Sequence, residues 1–287
     1  MNFTKMQGAG NDFVVIESNE DRDWSRLAKV ICNRHFGVGG DGLLLVSPSD
    51  KADVRMREFN LDGSEAEACG NGLRCVVKYA VHSGFAEADA GQISVETIAG
   101  IRQAKLYKTE GKETRIQVSM GKPKFEAKDI PVIIEPSDGR GVDITSVIDY
   151  SLVIENRELL LGFVSMGNPH AVCFWQYPVE DFPLSQLGPQ VEKNDIFPNR
   201  INFEVARVIN QKQIEARVWE RGVGETLACG SGACAVTVIA QLHGYIGNRV
   251  AIKLPGGTLD VEWDRMGEVL LSGSAEVVFT GEWTGEV

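Results

Sequence analysis

The sequence predicts an α+β protein built from two similar halves, each a mostly antiparallel sheet with one helix following a cysteine-containing turn. Three observations lead to this class: short β-rich runs dominate the chain, three stretches have helical spacing, and one half of the sequence partly repeats in the other. A chain of 287 residues is long enough for two such halves, each with its own core.

The strand predictions come from short runs rich in β-branched and apolar residues, separated by turn residues. Some of these runs alternate between apolar and polar residues, which is typical of strands with one buried face. The predicted strands cover residues 13–18, 42–48, 93–100, 115–120, 170–175, 202–209, 214–220, 257–263 and 268–273.

Three helices are expected. The first covers about 23–36 and is closed by Gly37, and the second covers about 71–83 and ends at Gly84. The third, about 231–243, is apolar on nearly every side, which predicts burial all round rather than one wet face.

An internal repeat relates the two halves. The stretch "ACGNG" at 68–72 returns as "ACGSG" at 228–232, and the segment 121–157, rich in Pro and charge, is expected to cross between the halves. Matches in the same order with nearly equal offsets indicate two copies of one architecture. At offsets of 160 and 157 residues the matched pairs are Arg57 with Arg217, Phe59 with Trp219, Glu65 with Glu225, Cys69 with Cys229, Asn11 with Asn168 and Gly100 with Gly257.

The repeated turn has a specific chemistry. The first N–H groups of a helix have no intrahelical partner and favour anions, so a Cys-Gly-x-Gly turn can stabilise a thiolate and hold a carboxylate. Two such turns supply a base on one face of a carbon and an acid on the other, which inverts a stereocentre. Removing a proton ten pKa units weaker than a thiol costs at least about 14 kcal/mol, so preorganised electrostatic stabilisation is also required.

Composition excludes several function classes. The net charge of −11 argues against nucleic acid and anionic membranes as partners, and the start of the chain has no apolar signal segment. Six cysteines in a chain of this length predict free thiols in a reducing, cytoplasmic compartment. No dinucleotide fingerprint, phosphate loop or metal cluster is present, so no cofactor and no metal are expected; C-x5-C and C-x4-C are unusual zinc spacings.

The motifs resemble those of the diaminopimelate epimerase family. The stretches "DGSEAEACGNG", "MGNPH" and "ERGVGETLACGSGACA" carry the resemblance, with further matches from "FTKMQGAGNDFVVI" to "FPNRINFEV". It implies epimerisation of LL- to meso-2,6-diaminopimelate without pyridoxal phosphate, in lysine and peptidoglycan precursor biosynthesis, by a homodimer. It also implies two pseudo-symmetric α/β-roll domains, each a curved sheet around a central helix, with the active site in the cleft between them. The expected domains are 1–118 plus 275–287, and 119–274.

The resemblance also implies a set of site residues. Cys69 and Cys229 match the acid/base pair, with His170 and Glu220 supporting the thiols. A departure is Gly42, where several family members carry Gln. The residues that match substrate-binding positions are Asn11, Asn60, Gly70, Asn71, Asn168, Asn202, Glu220, Arg221, Gly230 and Ser231.

Alternatives remain at this stage. The same chemistry would serve a proline racemase or 3-hydroxyproline epimerase, although the "DRSPCG"-like stretch typical of those enzymes is absent. A redox switch without turnover would need only a reversible disulfide between Cys69 and Cys229. His170 could be structural, Arg221 a surface charge, and the Asn residues could satisfy turns. Asp41 is most simply a turn former. Glu65 is expected to be a solvated flank, although it repeats as Glu225 and could organise the turn. Cys32, Cys75, Cys173 and Cys234 are expected to be buried small apolar residues.

Overall fold

The structure is a computed structural model that describes residues 1–66, 69–109, 114–126, 128–133 and 148–285. The chain forms two compact units. The first comprises Met1–Ser119 and Ser272–Val287, and the second comprises Met120–Leu271. No helix in the described ranges combines the length and apolar character needed to cross a membrane.

The first unit begins with a strand hairpin and contains two helices. Its long central helix starts directly after the first cysteine turn. In chain order its elements are β1 (Asn2–Gly8), β2 (Asn11–Glu17), α1 (Trp24–Ile31), β3 (Gly42–Ser47), β4 (Val54–Asn60), β5 (Glu65–Ala66), α2 (Gly70–Ser83), β6 (Gln92–Thr97), β7 (Gly100–Lys108) and β8 (Thr114–Ser119).

The second unit repeats this plan. A 3₁₀ turn, Val179–Asp181, precedes its first helix. Its elements are β9 (Tyr150–Ile154), β10 (Arg157–Ser165), β11 (Pro169–Phe174), α3 (Leu184–Glu192), β12 (Asn202–Asn210), β13 (Gln213–Glu220), β14 (Gly224–Thr226), α4 (Gly230–Leu242), β15 (Arg249–Leu254), β16 (Gly257–Glu262) and β17 (Leu270–Gly273), which spans the boundary between the units. The last strand, β18 (Glu276–Glu282), belongs to the first unit.

Both units pair their strands in the same sequence of directions. In the first, the order is β18, β1, β2, β3, β4, β6, β7, β8, and only the β2–β3 and β4–β6 pairs are parallel. In the second, the order is β9, β10, β11, β12, β13, β15, β16, with parallel β11–β12 and β13–β15 pairs. The shared order confirms that the sequence repeat is a repeat of architecture.

Each sheet surrounds one helix. Helix α2 packs on β1, β2, β3, β4, β6 and β8, and α4 packs on β10, β11, β12, β13, β15 and β16. The α4 residues from Ala233 to Gln241 are buried, and the Thr237 hydroxyl donates to the Ala233 carbonyl at 2.9 Å. These findings confirm the α+β class and the prediction of a helix buried on every side.

The first helix is shorter than the sequence predicted. It ends at Ile31 rather than Phe36, because the Asn33 side chain takes over the next N–H groups. Its Oδ1 accepts the N–H of His35 at 2.9 Å and that of Phe36 at 3.0 Å. Asn side chains commonly compete with the helical ladder in this way.

Two regions differ from the sequence prediction. Helix α3 was not predicted, because Pro189 lies inside it and Pro usually stops a helix. The segment 121–157 is more than a crossing: β9 lies within it, and Ile130 and Val132 join the core of the second unit. Residues 127 and 134–147 of that segment lie outside the described residues.

Candidate active site

The first cysteine turn opens helix α2. Cys69 is the N-cap residue in an extended conformation, and its sulfur accepts the N–H of Gly72 at 3.1 Å. The Cys69 N–H donates to Oε2 of Glu58 at 3.0 Å. The turn therefore aims a sulfur at a helix N-terminus, where negative charge is favoured.

A chain of amides lies beside this sulfur. Oδ1 of Asn11 accepts Nδ2 of Asn71 at 3.2 Å and lies 3.9 Å from the sulfur of Cys69. The buried guanidinium of Arg74 donates to Oδ1 of Asn71 at 2.8 Å. The side chain of Asn71 thus orders the turn, and a contact to substrate at Gly70 and Asn71 would come from the backbone.

A network of charged side chains hydrogen-bonds Asn11 and fixes its orientation. Asp41 accepts Nδ2 of Asn11 at 2.7 Å and the N–H of Asp12 at 3.1 Å, so it does more than form a turn. Arg34 bonds both carboxylates, at 2.6 Å to Asp12 and 2.7 Å to Asp41, and Lys5 bonds Asp12 at 2.5 Å. Burial alone would raise the pKa of Asp12, but hydrogen bonds and charges of Arg34 and Lys5 lower it to about 2.

Asn60 ends β4 at an exposed position. Its Nδ2 donates to the Ser64 hydroxyl at 3.0 Å. Gly42 is its cross-strand partner on β3, and a Cβ there would lie 3.0 Å from the Phe59 carbonyl oxygen. A side chain at Gly42 would therefore require a small local shift, and in this chain the position contributes no side-chain contact.

The second cysteine turn opens helix α4 in the same way. Cys229 is the N-cap residue, and its sulfur accepts the N–H of Gly232 at 3.4 Å, after the buried Gly230. The hydroxyl of Ser231 lies 3.4 Å from that sulfur. Glu220 ends β13 and is half-buried.

A buried polar chain supports this second turn. Nδ1 of His170 lies 2.7 Å from Oε1 of Glu204, and neither side chain is exposed. Nε2 of His170 lies 2.9 Å from Oδ1 of Asn168. Because the two His nitrogens engage both neighbours, His170 links the orientation of Asn168 to the carboxyl group of Glu204.

Asn202 and Arg221 are joined through the backbone. Asn202 is buried, donates to the Pro169 carbonyl at 2.9 Å and accepts the N–H of Arg221 at 2.9 Å. The exposed Arg221 side chain donates to the Asn199 carbonyl at 3.1 Å. Asn202 therefore ties the start of β12 to the Arg221 loop, a positioning role in addition to the predicted one.

The repeat extends to an ion pair in each unit. Arg57 bonds Glu65 at 2.7 Å, and Arg217 bonds Glu225 at 2.8 Å. Each pair joins the strand that precedes the turn to the short strand that leads into it. Of the two roles that the sequence left open for Glu65, these contacts support the one in which it organises the turn.

Both thiols are harder to ionise than the sequence suggested. Burial and then the Glu58 charge raise the pKa of Cys69 well above its usual value, and the Gly72 N–H only partly offsets this. Burial, Glu220 and Glu204 likewise raise the pKa of Cys229. Burial also raises the pKa of Glu58 and of Glu220. Burial and the neighbouring acids therefore outweigh the stabilisation that the helix N-termini were expected to give the thiolates.

The other cysteines are buried, as predicted. Burial raises the pKa of Cys32, Cys75 and Cys173 to about 12, which keeps them protonated. The described ranges hold no group of three or more His, Cys, Asp or Glu side chains that could bind a metal ion.

Sequence reasoning missed two site residues, Glu58 and Glu204. A signal for Glu58 exists: Val54, Met56 and Glu58 alternate on the buried face of β4, so a carboxyl stands where an apolar residue is expected. Glu204 lies in β12, whose first five residues are all buried, and no alternation marks it.

Comparisons with known proteins point to one family. The family model described as diaminopimelate epimerase matches residues 3–126 and 162–278. A diaminopimelate epimerase of Pelotomaculum thermopropionicum is 45% identical over 287 residues, covering 99% of both chains. One from Desulfovibrio desulfuricans is 46% identical over 294 residues, covering 99% of this chain and 98% of the relative.

Solved structures share the fold at low identity. A PhzF-family phenazine biosynthesis protein of Bacillus anthracis has a TM-score of 0.70 at 19% identity, covering 98% of both chains. A probable proline racemase of Agrobacterium radiobacter has a TM-score of 0.71 at 13% identity, covering 99% of this chain and 93% of the other.

Proposed function

The chain belongs to the diaminopimelate epimerase family, and from this premise we propose that it interconverts LL- and meso-2,6-diaminopimelate without pyridoxal phosphate, with Cys69 and Cys229 as the two bases. The observation that carries the proposal is the repeated turn: each unit places one cysteine sulfur at the N-terminus of its central helix. The reaction belongs to lysine and peptidoglycan precursor biosynthesis.

The reaction needs one thiolate and one thiol. The thiolate takes the proton from the α-carbon, and the C–H electron pair stays on that carbon, stabilised by the adjacent carboxylate. The other thiol then gives its proton to the opposite face, which inverts the stereocentre and leaves that sulfur as a thiolate. In the reverse direction Cys69 and Cys229 exchange roles.

The raised thiol pKa values suit this step. A thiolate whose thiol has a higher pKa is a stronger base. Each pKa unit lowers the free energy of proton transfer from the α-carbon to that thiolate by about 1.4 kcal/mol. The thiolate must then form within the substrate complex, where the substrate ammonium supplies a positive charge. Glu220, whose carboxylate already accepts the Thr226 hydroxyl at 2.6 Å, is proposed to bind that ammonium.

The helix N-termini are proposed to hold the reacting carboxylate. Backbone N–H groups at Gly70, Asn71, Gly230 and Ser231 lie in the first turns of α2 and α4. Such groups bind carboxylates directly, and their fixed dipoles also stabilise charge that develops on the carboxylate as the proton leaves.

The far end of the substrate carries a second amino acid group. We propose that Arg221 binds its carboxylate, because a guanidinium pairs bidentately with a carboxylate. The exposed guanidinium has room for such a partner. Asn60, Asn168 and Asn202 complete the set, with Asn11 placed beside the reacting centre.

The proposed domains are 1–118 with 275–287, and 119–274, so that each lobe supplies one thiol. The mechanism requires the two sulfur atoms to reach opposite faces of one carbon. In air-oxidised, substrate-free protein, peptide mapping by mass spectrometry should therefore find a disulfide between Cys69 and Cys229, with activity restored by reductant. Absence of that linked peptide would count against the required proximity.

We also propose that the protein works as a homodimer in the cytoplasm. The free thiols of all six cysteines suit a reducing compartment. The dimer follows from the family resemblance, and light scattering on the purified chain measures it.

Proton exchange in heavy water tests the function. The enzyme should incorporate deuterium at the α-carbon of LL-diaminopimelate while forming the meso isomer, as read by NMR. L-Proline and L-lysine are the comparators, because neither offers Arg221 a distal carboxylate. Equal exchange into proline would support a proline racemase instead, and no exchange into any of the three would support a redox switch.

A further inference from the structure

Glu58 is a buried carboxyl group beneath the Cys69 turn. It lies on the inward face of β4 and is 6% exposed. Its Oε2 accepts the Cys69 N–H at 3.0 Å and lies 2.9 Å from the position that a Cβ on Gly72 would take. Among the described residues, no ion pair joins Glu58 to a Lys, Arg or His side chain.

A buried carboxyl group with no cation beside it is costly, because burial removes its hydration. The sheet does not need an acid at this place. In the 160-residue repeat the mate of Glu58 is Val218, a buried aliphatic residue on β13. Filling the core at this position therefore does not account for a carboxyl group, and its hydrogen bond to Cys69 does.

The second unit also has a buried acid beneath its cysteine turn, but on the neighbouring strand of the equivalent pair. Leu44 and Glu58 are directly opposite each other on β3 and β4, and Glu204 and Val218 are opposite each other on β12 and β13. Each pair holds one carboxyl group and one aliphatic side chain, at exchanged positions. Glu204 Oε1 lies 2.8 Å from the Cβ position of Gly232, so each turn rests on one buried acid.

We propose that Glu58 is a positioning residue for Cys69. Cys69 is the N-cap residue, so its N–H lies outside the helical ladder and needs an acceptor from elsewhere. By accepting that N–H beneath Gly72, Glu58 fixes the extended backbone that directs the sulfur to the first turn of α2. The inference rests on the proposed function only in treating Cys69 as a catalytic thiol.

Two variants separate the hydrogen bond from the charge. Glu58→Gln keeps an oxygen acceptor of the same reach, whereas Glu58→Val copies the second unit and removes the acceptor. Glu58→Val should lower kcat about 10- to 100-fold with KM changed less than about twofold, as for loss of one buried hydrogen bond felt at the reacting thiol. Glu58→Gln should stay within about threefold of the parent.

Amide hydrogen exchange gives a readout that needs no substrate. In Glu58→Val, the peptide that begins α2 at Cys69 should exchange about tenfold faster than in the parent, because its turn has lost an anchor. The same peptide in Glu58→Gln, and the peptide containing Cys229 in both variants, should exchange at the parent rate. If diaminopimelate is not the substrate, this measurement still tests the positioning role.

Glu96→Gln is the matched control. Glu96 is a carboxylate of β6 in the same unit that contacts Ser49 and Lys51, and its loss should leave kcat and exchange unchanged. Glu58→Met replaces the Val variant if the latter does not fold. Full kcat and parent exchange in the variant lacking the acceptor would overturn the proposal, as would a Glu58→Gln variant impaired as much as Glu58→Val.

Discussion

The two cysteine turns are alike in backbone and different in the side chains around the sulfur. In both, a cysteine caps the central helix and its sulfur accepts the N–H of the second glycine, at 3.1 Å in one and 3.4 Å in the other. Each turn follows two strands that are joined by an Arg–Glu ion pair, 2.7 Å long in the first unit and 2.8 Å in the second.

The polar groups near the two sulfur atoms diverge. Cys69 has the amide of Asn11 and one acid, Glu58. Cys229 has a hydroxyl from Ser231 and two acids, Glu220 and Glu204. The two thiols are therefore chemically different, although the backbone presents them in the same way.

The difference extends to groups that could recognise a substrate. Glu220 and Arg221 of the second unit have Asn60 and Leu61 as repeat mates in the first. The first unit thus has one amide and one apolar side chain where the second has two charged side chains. The repeat retains the residues that build the turn, whereas the residues proposed to contact the substrate have diverged.

The largest expected effect tests whether the two thiols are both required. Replacing either Cys69 or Cys229 by Ser should lower the rate of LL to meso conversion by at least about 1,000-fold, because a hydroxyl is a far weaker acid than a thiol and cannot form the anion at neutral pH. Conversion measured by chiral chromatography checks this in each variant separately.

The control for the thiol variants is Cys173→Ser, at a buried cysteine of β11 that has no part in the proposed mechanism. It should keep most of the activity once folding is verified by circular dichroism. Full turnover by either Cys69→Ser or Cys229→Ser would contradict the two-base mechanism and make one turn sufficient.

A smaller effect sharpens the contrast between the two buried acids. Glu204 acts on Asn168 through His170, whereas Glu58 bonds the cysteine backbone itself. Glu204→Gln should therefore raise KM about tenfold, with a smaller change in kcat, because the hydrogen bond that orients Asn168 is weakened. Steady-state kinetics with LL-diaminopimelate measures the split.

Glu215→Gln provides the comparison in the same unit, since Glu215 pairs with Lys253 at 3.0 Å on a neighbouring strand pair. It should change neither constant. If Glu204→Gln lowers kcat and leaves KM untouched, Glu204 serves the thiol rather than Asn168, and the contrast with Glu58 disappears.

The sequence predicted the fold class and the two turns because their signals are local or repeated. Cys-Gly-x-Gly before an apolar run marks a helix start, and the match between Cys69 and Cys229 marks it twice. Helix α4 was predicted within one residue at each end, since its apolar residues are continuous and Gly230 opens it.

The missed features depend on three-dimensional context. Glu204 is buried because other elements cover both faces of β12. The sequence of β12 alone does not indicate this, since its first five residues are all buried and show no alternation. Helix α3 tolerates Pro189 because Gly188 packs on the Trp219 ring and the helix gains its stability from the core. The raised pKa values of the thiols follow from burial, which a turn motif does not specify.

The smallest effect concerns stability and belongs to the first unit. Asp12, bonded by Lys5 and Arg34, has as its repeat mate Pro169, so the second unit has no counterpart of this carboxylate. Its pKa is lowered from 3.8 to about 2, so its contribution to stability is present above pH 4 and is lost as the pH falls through 2. Asp12→Asn should therefore unfold at lower urea than the parent at pH 6, and the gap should narrow on acidification.

Urea midpoints followed by tryptophan fluorescence between pH 6 and pH 2 check this expectation. Asp181→Asn, at the end of the 3₁₀ turn in the second unit, is the matched control for replacing one Asp by Asn, because no ion pair joins Asp181 to another described residue. A gap for Asp12→Asn that stays constant down to pH 2 would mean that ionisation of the Asp12 carboxylate beside Lys5 and Arg34 adds no net stability.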